Sequence, residues 1–256
     1  VIKPKALASV CDNGGERSCA AKNKAKFAKS KHYKVSSCHL PEFSSHSFEK
    51  ALGDRDIFFV GDSVMMQQKT RLQCDVNNIT KIHGIRISHS KHFLDRLSRL
   101  GRIPYNSIVL MNIGLHYNDL DLYRQFLLEF ERKCLKSNST NGTLIWQESA
   151  AQHFPSSNNG YFQVRGRCSK GCVKLNRSKI ISGDFRNRIA NEVMLKYGIP
   201  VLPVFEITHD AQDMHTQFNS KTGLCDCTHF CNTPYGVFRV YNRVLQAFLA
   251  TYNDIL

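Results

Sequence analysis

Ile57-Phe58-Phe59-Val60-Gly61-Asp62-Ser63 decides how this chain is read. Four consecutive apolar residues, closed by a Gly-Asp turn, suit a short buried strand. The turn then delivers Ser63 to the start of a helix, where unpaired backbone N–H groups can stabilise an oxyanion. Far along the chain, Asp226-Cys227-Thr228-His229 offers a carboxylate and an imidazole. A serine hydroxyl is a poor nucleophile until an adjacent imidazole removes its proton, and the imidazole needs a third group to hold it. Asp226 and His229 are three apart, a spacing that puts both on one face of a helical turn. Ser63, His229 and Asp226 are therefore expected as nucleophile, general base and orienting carboxylate. A serine there is also a good helix N-cap, so the pairing with Asp-x-x-His carries more than either motif alone. Asp62 reads as a turn former rather than a catalytic acid.

Outward from this stretch, strand-like and helix-like segments alternate. Strands are expected at 57–60, 82–87, 107–112, 143–147 and 199–205, and helices at 63–74, 90–99, 119–136 and 184–197. A last amphipathic helix is expected over 236–251, with Val237, Val240, Val244, Leu245 and Phe248 at helical spacing. The alternation predicts an α/β fold, a mostly parallel central sheet covered by helices on both faces. Reactive groups in such sheets gather at the carboxyl ends of the strands, where Ser63 and Asn112 both fall. With 256 residues and 42% hydrophobic content the chain can bury one good-sized core. Residues 1–50 and 153–182 lack clear periodicity and read as stapled loops packed on that core. The expected division is a basic, loop-rich segment over 1–50 and a catalytic domain over 51–256.

Ten cysteines are spread along the whole chain, and sequons start at Asn78, Asn138, Asn141 and Asn176. Together they point to disulfides, glycosylation and a secretory lumen or the cell exterior. Zinc competes for part of this set, because Cys225, Cys227, His229 and Cys231 are ligand types that zinc accepts, with Cys168 and Cys172 nearby. No run of eighteen apolar residues occurs. A chain that opens at Val1 rather than Met raises the expectation of an amino-terminal signal or anchor beyond these residues. The net charge is +14, and residues 22–34 carry six lysines and no acid. That segment reads either as a solvated basic arm or as an attraction to an acidic polysaccharide or an anionic membrane surface. No nucleic-acid-binding motif accompanies the charge, and nucleic acid is not expected as a partner.

The chain resembles the trichome-birefringence-like polysaccharide O-acetyltransferases and the wider PC-esterase group, within the SGNH/GDSL-like superfamily. The likeness rests on CHLPEF at 38–43 followed by FEKALGDRDIFFVGDSVMMQQ, on MNIGLHY at 111–117, on SAAQHF at 149–154, on LPVFEITHDAQDMH at 202–215 and on DCTHFC at 226–231. These blocks stand in the family's order across roughly residues 38–231. Two departures, Met66-Gln67-Gln68 in place of Arg-Asn-Gln and a third block whose aromatics are thinned to Tyr117, bear on donor or acceptor choice rather than on reaction type. The resemblance implies an SGNH-hydrolase-like three-layer α/β/α sandwich, with an acetyl group moved to a polysaccharide hydroxyl through an acyl-serine. It implies an oxyanion hole built from the Ser63 N–H and Asn112, to which Gly84 either lends another N–H or contributes only as a loop glycine. Asn112 has the alternative of satisfying its own turn. His116, His153 and His215 lie in family-like blocks and either line the substrate groove or are structural. Gln67 and Gln68 touch either substrate or water. No bound cofactor is expected, only an acetyl donor and a polysaccharide or oligosaccharide acceptor, in the Golgi lumen (through a membrane anchor outside this chain) or secreted. An acetylesterase using the same triad is the first alternative, and a zinc-stabilised carbohydrate-binding module is the second.

Overall fold

A computed structural model describes residues 40–87, 100–136, 142–155, 171–176, 178, 184–219, 224–234 and 236–253. The basic arm at 22–34, the helix expected at 90–99, Asn138, Asn141, Cys11, Cys19, Cys38 and Cys168 lie outside the described residues.

Five strands form one sheet in which every pairing is parallel: β1 (Asp56–Gly61), β2 (Ile82–Arg86), β3 (Ser107–Asn112), β4 (Thr143–Gln147) and β5 (Val201–Leu202), in the order β2-β1-β3-β4-β5. Alternate residues of each strand feed two cores. Val60, Val109, Met111 and Trp146 pack beneath α3 (Leu120–Phe130) and α4 (Phe185–Lys196). Ile57, Phe59, Ile108, Leu110 and Ile145 pack beneath α1 (Ser45–Leu52), α2 (Ser63–Asp75) and α5 (Val237–Asn253). Burial on both faces explains why β1 and β3 read as unbroken apolar runs. This is the three-layer α/β/α sandwich that the alternating pattern requires, consistent with an SGNH-like arrangement. Among the described residues no helix is long and apolar enough to cross a membrane.

Side-chain capping fixes where the helices start. Asp62, Asp119 and Asp184 accept backbone N–H groups at the starts of α2, α3 and α4, and Ser44 does so for α1. The closing cap of α1 is Gly53 at φ 64, a conformation that costs glycine nothing. At the far end of α2, the nearly buried Asp75 carboxylate receives Arg71 at 2.7 Å, Arg239 at 3.1 Å and Asn242 at 3.0 Å, which fastens α2 to α5.

Three features differ from the sequence expectations. The fifth strand keeps only Val201 and Leu202 of the expected 199–205, because Pro200 and Pro203 have no N–H to give a ladder. Helix α1 runs through position 50, inside a stretch read as loop. Its apolar residues Phe48, Ala51 and Leu52 follow helical spacing over barely two turns, too short a run to stand out. An antiparallel ribbon of β6 (His215–Asn219) and β7 (Leu224–Phe230) was not expected at all.

Candidate active site

The strand order places β2 on one side of β1 and β3 on the other, so the chain reverses direction across the sheet at β1. Ligand crevices of open parallel sheets lie at such switch points, outside the carboxyl ends of the strands. Ser63 is the second residue after that end and the first of α2. Gly61 allows the tight exit, since a Cβ there would stand 2.2 Å from the Asn112 carbonyl oxygen. The first N–H groups of a helix have no intrahelical partner, and the Asp62 carboxylate takes that of Val64 at 2.9 Å. The other Asp62 oxygen is buried without a partner among the described residues, and burial pushes its carboxyl above the usual range.

Ser63 Oγ lies 2.6 Å from His229 Nε2, and His229 Nδ1 lies 2.9 and 3.0 Å from the two Asp226 oxygens. The three residues are brought together as a continuous relay. The local geometry is not the helical turn that the spacing suggested. Asp226 and His229 both belong to β7, where residues three apart should face opposite ways. A bulge reconciles the two: His215 pairs with Phe230 and Gln217 with Asp226, so Cys227, Thr228 and His229 together oppose Thr216 alone. The extra residues curl the strand until the imidazole returns over the carboxylate. Asp226 Oδ1 stabilises the curl by accepting the N–H groups of Thr228 at 3.3 Å and His229 at 3.0 Å.

The remaining polar groups of the bulge are met by side chains and loops from elsewhere. His153 N donates to the Cys227 carbonyl at 3.2 Å, and Gln67 Nε2 to that of Phe230 at 3.1 Å. Gln152 Nε2 donates to Thr228 Oγ1 at 2.7 Å, while Gln152 Oε1 accepts both Arg186 Nη groups at 3.3 Å. Arg186 is itself locked to Asp184 at 2.5 Å with both side chains fully buried. A disulfide between Cys172 and Cys227 staples the bulge to the 171–176 segment, and Cys74 and Cys231 are also disulfide-bonded. The zinc alternative thereby loses Cys172, Cys227 and Cys231 as thiolates, and His229 has both ring nitrogens engaged. No group of three potential ligands is placed to hold a metal ion among the described residues.

Electrostatics favour a working base. Burial pushes the His229 imidazole down, but the hydrogen bond and charge of Asp226, helped by Asp62, carry it above its ordinary value. Arg86 opposes this rise. Burial pushes Asp226 up, yet the His229 bond and charge and two backbone N–H groups outweigh it and bring the carboxyl to about 2.

Several residues expected at the site have other work. Asn112 donates both amide hydrogens inside the protein, to the Gln147 carbonyl at 2.8 Å and to Ser149 Oγ at 3.1 Å. In this arrangement it anchors the loop after β4 and has no N–H left for an oxyanion. Gly84 is opposite Phe59, two residues short of the Gly61–Arg86 pair at the strand end. Ile87 N–H points at Gly61, so the N–H of Gly84, an odd number of residues earlier, points off the sheet edge. Its missing side chain makes room for Lys69 and Met66 of α2. Gln68 is fully buried and accepts from Gln147 at 2.8 Å, so it touches neither substrate nor water. His116 is exposed, and its charge acts on Asp62, which leaves it at the mouth of the site.

His153 and His215 are fully buried and bonded to each other rather than lining a groove. His153 Nδ1 and His215 Nε2 are 2.6 Å apart, His153 Nε2 is 2.9 Å from the His209 carbonyl, and His215 Nδ1 is 3.2 Å from the His229 carbonyl. Three such contacts ending on two carbonyls need three protons, whereas a neutral pair carries two. Burial holds both imidazoles below the ordinary histidine range, which opposes the third proton.

Sequence reasoning missed Gln152, Arg186, Asp184, Asn187 and Ser149, which form the bed of the site. Asp184 carried a signal as a capping residue at the start of the expected helix 184–197, and Ser149 and Gln152 lie in the SAAQHF block without having been singled out. No family model matches the chain, and no curated protein is significantly similar to it.

Proposed function

We propose that the chain is a serine-dependent O-acetyltransferase acting on a polysaccharide hydroxyl. The observation that carries the acyl-transfer reading is the Ser63–His229–Asp226 relay, with contacts of 2.6 and 2.9 Å at the carboxyl end of β1. The acetyl group and the saccharide acceptor come from the resemblance of the sequence blocks. Ser63 Oγ attacks the carbonyl carbon of an acetyl ester or thioester as its proton passes to His229 Nε2. The Ser63 N–H receives the oxyanion. When the tetrahedral centre collapses, the bond to the donor breaks and the leaving group takes the proton from His229. The acceptor hydroxyl then gives its proton to His229 and attacks the acetyl-serine. The Oγ–carbonyl bond breaks, and Ser63 recovers its proton. Asp226 keeps its charge throughout and holds the imidazole in the tautomer with Nδ1–H.

Acetylesterase activity is the second reading, favoured by one observation. His229 and Asp226 leave 33% and 34% of their side chains open, so water reaches the same acyl-enzyme. The disulfides, with exposed sequon asparagines Asn78 and Asn176, support a lumenal or extracellular setting.

Intact-mass spectrometry after incubation with an activated acetyl ester tests the proposal. Wild type is expected to gain one acetyl group and Ser63→Ala none. Discharge by added oligosaccharide rather than by buffer identifies a transferase. Equal labelling of both proteins would remove Ser63 from the chemistry.

A further inference from the structure

Two fully buried charges stand behind the catalytic bulge, outside the relay itself. Asp184 caps α4, and Arg186 binds its carboxylate through Nε at 2.9 and 3.1 Å and through Nη2 at 2.5 Å. Well-packed apolar side chains often stabilise a fold as well as a buried ion pair, so stability alone gives this one little reason. What the pair supplies is direction. Arg186 also turns Nη1 and Nη2 toward Gln152 Oε1, both at 3.3 Å. A guanidinium can only donate, so the oxygen of the Gln152 amide must face it and the Nε2 protons face the other way. There Gln152 Nε2 donates to Thr228 Oγ1 at 2.7 Å. Gln152 is 3% exposed, and its loop is pinned along its length. Asn187 Oδ1 accepts the Ser149 N–H at 2.7 Å, and Asn187 Nδ2 donates to the Ser149 carbonyl at 3.0 Å. Thr208 Oγ1 accepts the Ala151 N–H at 3.0 Å, and the His153 N–H reaches the Cys227 carbonyl. Thr228 is the middle residue of the bulge, between Cys227 at the disulfide and His229 on Asp226. Its N–H is held by Asp226 at a long 3.3 Å, and among the described residues its hydroxyl has no partner besides Gln152.

Resting on the acyl-transfer reading, we propose that Gln152 is a positioning residue for the general base. It ties Thr228 to the Asp184–Arg186 pair at the start of α4, and through the backbone of the bulge it sets where His229 Nε2 stands relative to Ser63. Helix α4 packs with Val60 and Trp146 of the sheet, so this strut refers the base to the same frame that carries the nucleophile. A misplacement of about 1 Å between reacting groups can cost about a hundredfold in rate. A contact that served stability alone would lower the folded fraction and leave the turnover of folded protein unchanged.

Acylation by an activated acetyl ester, measured per folded molecule, provides the test. It is run on wild type, Gln152→Leu, Thr228→Val, Thr228→Ser and the double variant Gln152→Leu/Thr228→Val, with thermal melts giving the folded fraction. Thr228→Val leaves the Arg186 contacts in place and keeps the test open should Gln152→Leu melt early. Gln152→Leu and Thr228→Val are each expected to lower the maximal acylation rate about tenfold to a hundredfold. The KM for the ester and the pH midpoint of His229 should not move, because Asp226 stays on the imidazole. Thr228→Ser keeps the accepting oxygen and should recover most of the rate lost in Thr228→Val. The double variant should be no slower than the slower single one, since both substitutions break the same contact. Unchanged rates in folded protein, or losses that multiply in the double variant, overturn the assignment. A rate loss that comes with a moved pH midpoint overturns it too, and makes Gln152 part of the electrostatics of the base. The downfield Nδ1–H proton resonance of His229 separates this proposal from the reading beneath it. That signal should be sharp in wild type and broadened in Gln152→Leu. The same pattern without any acylation of Ser63 sinks the transfer reading and leaves the strut standing, whereas an identical signal in both proteins overturns the strut.

Discussion

The serine and histidine halves of the relay are built in opposite ways. Ser63 is set by backbone: a buried parallel strand, a glycine exit and a helix start fix its position through the ladder of the main sheet. His229 is set by contacts from elsewhere in the chain, on a two-stranded ribbon bent by a bulge whose polar groups are met by the side chains of Asp226 and Gln152 and the His153 backbone N–H, and which the Cys172–Cys227 disulfide staples. The first half resists substitution unless a backbone group is lost. The second depends on many separate contacts and should fail in steps.

The sharpest break in that contrast is Ser63→Ala, which removes the chemistry and spares the frame. Acylation should drop at least a thousandfold, since loss of a triad nucleophile leaves little beyond binding and the oxyanion hole. The melting temperature should barely move, because Asp62 rather than Ser63 caps α2. A large loss of stability would contradict a backbone-set serine.

Asp226→Asn should come next, at roughly a thousandfold to ten-thousandfold in acylation rate. The pH profile tells orientation from charge. In wild type the raised His229 value means that the base form appears only above the ordinary histidine range, so activity rises with pH through that raised value. Without the Asp226 charge the midpoint should fall to lower pH while the plateau collapses. A midpoint that stays put would deny Asp226 its electrostatic part.

The disulfide separates the halves by stability. Cys172 and Cys227 are 55 residues apart, and replacing both by serine should cost about 2–4 kcal/mol in a thermal or urea melt. Acylation by the protein that remains folded should fall as well, because Cys227 lies inside the bulge. Full activity in the folded fraction would show that the bulge holds its shape without the staple.

The smallest effect on chemistry is expected from Asn112→Ala. Leaving the Gln147 carbonyl and Ser149 without their donor should cost about 1–3 kcal/mol of stability. The acylation rate should change less than about tenfold, whereas loss of an oxyanion donor costs about a hundredfold to a thousandfold. A drop of that larger size with unchanged stability would return Asn112 to the oxyanion hole.

Most of the sheet was legible because its signals are local. Ile57 to Val60 and Ser107 to Asn112 are buried on both faces, and a continuous apolar run is what such burial demands. The ribbon was not legible, because His215–Asn219 and Leu224–Phe230 mix polar, aromatic and cysteine residues with no period of two. Asp226 and His229 meet as their spacing suggested but in a different local structure, since i,i+3 proximity suits a helical turn as well as a bulge. His153, His215 and Gln68 look like substrate contacts in one dimension. Their burial and mutual hydrogen bonds depend on partners as far off as Gln147, 79 positions from Gln68.

The sequence by itself determined the strand–turn–helix at Ser63, the alternation that makes an α/β sandwich, and the residue types of the relay. These follow from near-neighbour sterics, capping and hydrophobic pattern, which act over a few residues. The tertiary structure alone decided that His229 reaches Ser63 across 166 positions and that Asn112 turns its amide inward. Those outcomes depend on strand order, register and a bulge, each selected by the joint burial of segments far apart in the chain.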